Sequence, residues 1–264
     1  MRSIRTTAFT LIELLVVITI IAVLTALLVP AVESAAYRAR IAACIATLDG
    51  TATGVVAYAM DHQQQYPYRP VVRSSGVAPH GQLNNGASVN DDRKPLRNYL
   101  SLNGSLNCPL GPKLDIAGSK PTTYTWTTYS LWFGFGYTGL GRMDKIGQRI
   151  EVRGPDGIYE LNLLVSDHGV KKLNWWGGDS HPDKAGRASL EFYQDEPAPW
   201  GVDATFARYL WQTSRGPVDL NYAFQDGSVD ELRDVGTEET ERIKEVPCFA
   251  NDSDPQRKIL VPVR

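Results

Sequence analysis

Residues 9–29 form an unbroken apolar run of 21 residues whose single charge is Glu13. A helix of that length crosses a hydrocarbon core of about 30 Å. No other feature limits the fold as strongly, because lipid admits only helices and closed barrels. An ionisable group inside such a span is costly and marks function by default. Arg2 and Arg5 precede the run with no acid beside them. That positive end stays in the cytoplasm and sends the rest of the chain outward. A secretory signal would have an apolar core of about 7–15 residues with a small-residue cleavage site after it. Here the run is longer, and the small residue, Ala8, comes before it. A cut after Ala8 would free an amino group on Phe9 and leave the helix attached.

Such a cut makes Glu13 intelligible. A carboxylate in lipid needs a cationic partner or it takes up a proton. Glu13 lies about one helical turn from Phe9, within reach of its own amine or that of a neighbouring copy. When helices pack side by side, the second pairing sets their axial stagger. The plain alternative is a single-pass anchor with a tolerated Glu near the interface.

The stretch Ala8-Phe9-Thr10-Leu11-Ile12-Glu13-Leu14-Leu15-Val16-Val17-Ile18 resembles the processing and methylation site of type IV prepilins and type II secretion pseudopilins. The resemblance implies a prepilin peptidase/methyltransferase that cuts before Phe9 and methylates its amine. It implies roles for Ala8 (before the cut), Phe9 (the new terminus), Glu13 (the assembly acid) and Pro30 (a helix break). The family usually has Gly where this chain has Ala8. Cys44-Ile45-Ala46-Thr47-Leu48, Val55-Val56-Ala57-Tyr58-Ala59-Met60-Asp61, Tyr66-Pro67 and Asn221-Tyr222-Ala223-Phe224-Gln225-Asp226-Gly227-Ser228-Val229 are similar to segments of a large bacterial group of pilin-like proteins with extended globular domains.

The organisation that follows is a leader at 1–8, a transmembrane helix at 9–29, its amphipathic continuation at 30–61 and an extracytoplasmic globular domain at 62–264. Pro30 should kink the helix without ending it. Ile41, Ile45, Leu48, Ala52, Val55 and Ala59 recur at steps of three and four, an apolar stripe for packing on the domain. Gly50 and Gly54 weaken the helix by about 1 kcal/mol each against Ala. Residues 66–120 are loop-like, with a short helix over 93–102 where Pro95 suits a first turn. Strands are expected at 122–129, 131–137, 158–165 and 188–193. The clearest hairpin turns at Asp226-Gly227, a two-residue signal between apolar runs. The tail from Val246 is rich in Pro and Asp and reads as loosely ordered. The fold class is therefore α+β: a long N-terminal transmembrane and amphipathic helix, then a mostly antiparallel sheet in a pilin-like globular domain.

Charge is nearly balanced, 27 basic against 29 acidic residues. Loss of the leader removes Arg2 and Arg5, leaving 25 against 29 and a net charge of −4. No basic cluster supports a nucleic-acid partner. Of three cysteines, Cys44 falls on the long helix, which favours Cys108–Cys248 as a disulfide. Spacing leaves all three pairings open, and three buried thiols is the equal alternative. None has Cys-x-x-Cys spacing.

Asp167, His168, Asp179, His181 and Asp183 lie around Trp175-Trp176-Gly177-Gly178. Their spacing matches no ligand pattern, and the segment reads as a surface loop. The resemblance makes calcium the metal to suspect, since major pseudopilins carry a C-terminal calcium loop. Its ligands match no positions here, so no metal site and no cofactor are assigned. Ser166-Asp167-His168 are neighbours in sequence whose side chains rarely converge, so a strand end is expected and no catalytic residue.

The functional expectation is a structural subunit, not an enzyme. It would form part of a type IV pilus-like or type II secretion pseudopilus filament. Its partners would be the prepilin peptidase, other pilin-like subunits, an inner-membrane assembly platform and lipid. It would sit in the inner membrane with a cytoplasmic N-terminus until assembly. The competing expectation is a membrane-anchored or filament-tip protein whose large domain recognises a polysaccharide or a secreted protein.

Overall fold

A computed structural model describes residues 10–69, 82–84, 91–111, 115–118, 124–134, 143–153, 157–167, 170–171, 218–235, 243–247 and 258–262. The chain divides into two compact units, Met1–Ala39 and Arg40–Arg264. One helix, α1 (Leu11–Asp61), supplies the described part of the first and enters the second.

From Leu11 to Val32 the helix α1 is apolar on all sides apart from Glu13, Thr19 and Thr25, and every described residue from 10 to 36 is exposed. Its polar side chains fold back on the backbone. Thr19 donates to the Val16 carbonyl at 2.8 Å, and Thr25 reaches the Ile21 and Ala22 carbonyls at 2.9 and 3.0 Å. Satisfying hydroxyls within the helix suits a segment surrounded by lipid. One helix this long and apolar fits a single-pass membrane anchor. Pro30 lies inside α1, which continues past it, so the helix does not break there.

In the second unit α1 becomes one-sided. Ile41, Cys44, Leu48, Thr51, Ala52, Gly54, Val55 and Ala59 are buried. The stripe is the expected one with a change of member: Ile45 is only half-buried, and Cys44 takes the inward place. Leu48 and Val55 are fully enclosed in a core with Tyr129, Leu131, Trp132, Leu163, Val165, Leu220 and Tyr222. Each such aliphatic side chain stabilises the fold by about 1.5–3 kcal/mol. Gly54 has a packing role that its helix propensity hides. A Cβ there would stand 2.3 Å from Leu100 Cδ2 and 2.9 Å from the Tyr99 carbonyl oxygen. Thr51 Oγ1 donates to the Ser105 carbonyl at 2.6 Å, tying α1 to α3 (Leu102–Ser105), the second of two short helices, of which α2 (Arg93–Leu96) is the first. Pro95 sits in the first turn of α2, as its missing N–H allows.

α1 ends in two left-handed residues, Gln63 (φ 57°) and Gln64 (φ 63°), and the Gln64 N–H closes on the Ala59 carbonyl at 2.7 Å. This is a helix stop of the left-handed kind, without the usual glycine.

All the pairings among the eleven described strands are antiparallel. A four-stranded sheet runs β3 (Tyr129–Leu131), β6 (Leu163–Asp167), β8 (Val218–Phe224), β9 (Val229–Val235). A three-stranded sheet runs β10 (Ile243–Pro247), β11 (Lys258–Pro262), β7 (Val170–Lys171). Two pairs complete the set, β1 (Gln82–Asn84) with β2 (Tyr124–Trp126), and β4 (Ile150–Arg153) with β5 (Ile158–Leu161).

Several expectations change in detail. The 122–129 strand is two strands, broken at Thr127 and Thr128, and 158–165 is β5 and β6, separated by Asn162. The tail is more ordered than its composition implies, because β10 and β11 pair across it. The β8–β9 hairpin closes on a three-residue loop, not two. The Phe224 N–H bonds the Ser228 carbonyl at 3.0 Å, and Gly227 (φ +81°) takes the left-handed position. That is a turn followed by a glycine bulge, the next commonest hairpin solution. The expected strand at 188–193 lies outside the described residues.

Candidate functional site

The functional feature of the apolar segment is its start. Thr10 precedes α1 and Glu13 occupies its first turn. Glu13 Oε2 accepts the Thr10 N–H and the Thr10 hydroxyl, both at 2.8 Å. The Glu13 N–H in turn approaches Thr10 Oγ1 at 3.2 Å. Thr-x-x-Glu thus forms a reciprocal capping box, which satisfies helix-start donors that lipid cannot. The Thr10 N–H belongs to the peptide bond with Phe9, the residue that a cut after Ala8 would make terminal. Ala8 and Phe9 themselves lie outside the described residues.

A second cluster, which the sequence reading missed, lies in the core of the other unit. Cys44 on α1, Cys108 after α3 and Asp167 at the end of β6 bring their sulfur and oxygen atoms within 4.8 Å of one another. The Cys44 S–H donates to Asp167 Oδ1 at 3.2 Å, and its sulfur lies 3.3 Å from Tyr129 Oη. Asn221 holds the other carboxylate oxygen, donating its backbone N–H at 2.7 Å and its Nδ2 at 2.8 Å. Cys44 and Cys108 Sγ are 3.6 Å apart, and both side chains are buried. Burial, the Cys108 thiol and the Asp167 charge push the Cys44 thiol far above its ordinary range. Burial also raises Tyr129 well above an ordinary phenol, with the nearby thiols and Asp167 adding to it. The available signal was periodicity: Cys44 follows Ile41 by three and precedes Leu48 by four, so it had to face inward.

Of Ser166-Asp167-His168, the first two are described. Ser166 Oγ accepts the Trp132 indole N–H at 2.9 Å, Asp167 turns to Asn221 and Cys44, and both end β6 as expected. His168, Asp179, His181 and Asp183 lie outside the described residues, as does Cys248, the expected partner of Cys108.

Two further arrangements hold the head together. Gln225 at the hairpin accepts from Tyr66 Oη and the Gly147 N–H, both at 3.0 Å, and donates to the Gln148 carbonyl. Arg69 is buried, donating to the Leu131 carbonyl at 2.8 Å. Burial lowers its pKa to about 10, while the nearby Asp92 carboxylate works the other way.

Against known families, residues 5–29 match the prokaryotic N-terminal methylation motif. No curated protein and no solved structure matches the chain. The match covers the apolar run and the residues just before it, including Ala8, Phe9 and Glu13. A motif of this kind implies processing by a prepilin peptidase. That prepilin-type motif heads a long apolar helix with antiparallel sheets behind it, an arrangement that supports a type IV pilin- or pseudopilin-like protein.

Proposed function

We propose that the chain is a structural subunit of a type IV pilus-like or type II secretion pseudopilus filament. It is inserted as a precursor with its N-terminus in the cytoplasm, cut after Ala8, methylated on Phe9 and drawn from the membrane into a helical array. Its α1 segments become the filament core, and its globular unit faces outward. The observation that carries this reading is the methylation motif at 5–29 on a helix whose residues 10–36 are all exposed. Large side chains such as Leu11 and Leu27, 85% and 73% exposed, need either lipid or neighbouring helices. One apolar surface serves both, because packing in lipid and packing in a helical bundle ask for the same side chains.

Glu13 makes the second use specific. Its carboxylate stands beside the Phe9–Thr10 peptide, where a free amine on Phe9 of this copy or the next would pair with it. The role is architectural, with no turnover. Mass analysis of the N-terminus from the native membrane tests the reading. A methylated Phe9 supports it; an intact Met1 terminus overturns it.

A further inference from the structure

We propose that Cys44 and Cys108 form a disulfide that clasps the second half of α1 to the segment after α3. The sulfurs stand 3.6 Å apart across 64 residues of sequence, and both are buried. Each is held by its surroundings. Cys44 sits within α1, with its sulfur against Tyr129 Oη and Asp167. The Cys108 N–H donates to Thr128 Oγ1, and the Leu110 N–H reaches Cys108 Sγ at 3.4 Å. An S–S bond of about 2.0 Å asks the sulfurs to close by roughly 1.6 Å, within the reach of side-chain rotation.

The chemistry favours a bond over the alternatives. Two thiols beside a carboxylate cannot carry thiolate charge at low cost, because burial and Asp167 both oppose it. Zinc would take the same three ligand atoms, since thiolates on a tetrahedral ion stand about 3.8 Å apart. It would, however, set three negative ligands against two positive charges in a closed core, with a phenol as the nearest fourth donor. A disulfide removes both protons and leaves no charge on sulfur.

The step balances as thiol–disulfide exchange. Two S–H bonds break and one S–S bond forms; two electrons and two protons pass to a disulfide-bearing oxidant, which leaves as two thiols. Because the folded pair is buried, exchange occurs before α1 docks. The proposal rests on the functional reading in one respect: an outward-facing domain meets oxidants of this class. The consequence is mechanical. A subunit pulled by α1 from the membrane would carry its globular unit on a covalent link, not on packing alone.

The test uses the full chain in detergent, refolded in oxidised and reduced glutathione, alkylated and digested. The expected result is a peptide holding Cys44 joined to one holding Cys108, two hydrogens lighter than their sum. Reduction should lower the thermal midpoint by roughly 10 °C. Cys44→Ser should abolish that shift and Cys248→Ser should leave it. Linkage of Cys108 to Cys248, alkylation of Cys44 and Cys108 at every redox ratio, or stoichiometric zinc released only by chelation would each overturn the clasp. Location is read separately, by protease access in spheroplasts, where the outer face of the inner membrane is open to the enzyme. A globular unit shielded from external protease defeats the functional reading and leaves the bond-forming result standing.

Discussion

Glu13 Oε2 accepts both the backbone N–H and the hydroxyl of Thr10 at 2.8 Å, so the one acid of the apolar segment is pinned to the first turn of its own helix. This places a carboxylate at the depth where a processed amino terminus would sit. Capping alone does not explain the choice of an ionisable residue, since a neutral glutamine closes the same box.

Glu13→Ala and Thr10→Ala therefore separate two roles. Both should loosen the helix start by about 1 kcal/mol. Only Glu13→Ala should block filament assembly, with membrane insertion unchanged in fractionated cells. Normal filaments from the Glu13→Ala chain would sink the stagger argument.

Two glycines four residues apart on α1 should respond in opposite directions. Gly50 has nothing within 4 Å of the place a Cβ would occupy, while at Gly54 that place meets Leu100 and the Tyr99 carbonyl. Gly50→Ala should stabilise by about 0.5–1 kcal/mol. Gly54→Ala should cost about 1–3 kcal/mol, because a backbone oxygen cannot rotate away. Chemical denaturation of the two variants checks the sign of each.

Gln225 joins the hairpin to the segments after α1 through Tyr66, Gly147 and Gln148. Gln225→Ala removes the acceptor of the buried Tyr66 hydroxyl and opens the exposed Gly147 N–H to water. A loss of about 1–3 kcal/mol is expected. Hydrogen exchange should show the Gly147 amide losing protection while the β3–β6 pairing keeps its own.

Acid should weaken the region around α2. Burial pushes the Asp91 carboxyl up, but hydrogen bonds from Arg93 and the charges of Arg93 and Arg97 outweigh it and hold it below the usual carboxylate range. The Arg93 guanidinium meets both oxygens, at 2.8 and 3.0 Å. A group whose folded pKa is depressed contributes stability that is complete above its unfolded value, near 3.8. That contribution is lost as pH falls through the folded value. Unfolding followed from pH 6 downward should show the loss below about pH 4. Asp91→Asn should flatten that part of the curve; an unchanged curve would remove Asp91 from the acid response.

The elements that could be read from the sequence alone share one property: their signal is local. The span at 9–29 is a matter of length and hydropathy. The stripe to Ala59 follows from the helical repeat; the box at Thr10 and Glu13 carries an equally local signal, a three-residue spacing, that the sequence reading missed. The β8–β9 hairpin was marked by Asp226-Gly227, although the loop proved one residue longer, because Gly227 serves a bulge and not a tight turn. The tail was misjudged because Pro and Asp describe its connection, while β10 and β11 depend on each other.

What the sequence by itself determined was a membrane-length helix with a processing motif, one acid in its first turn and an antiparallel domain to follow. Tertiary structure alone decided which distant residues meet. Cys44 reaches Asp167 across 123 residues, Tyr66 reaches Gln225 across 159, and Gly54 admits Leu100 against the helix backbone. Periodicity says which way a side chain faces. It cannot say what will be there, because that depends on how several strands, each locally ambiguous, close together around the same core.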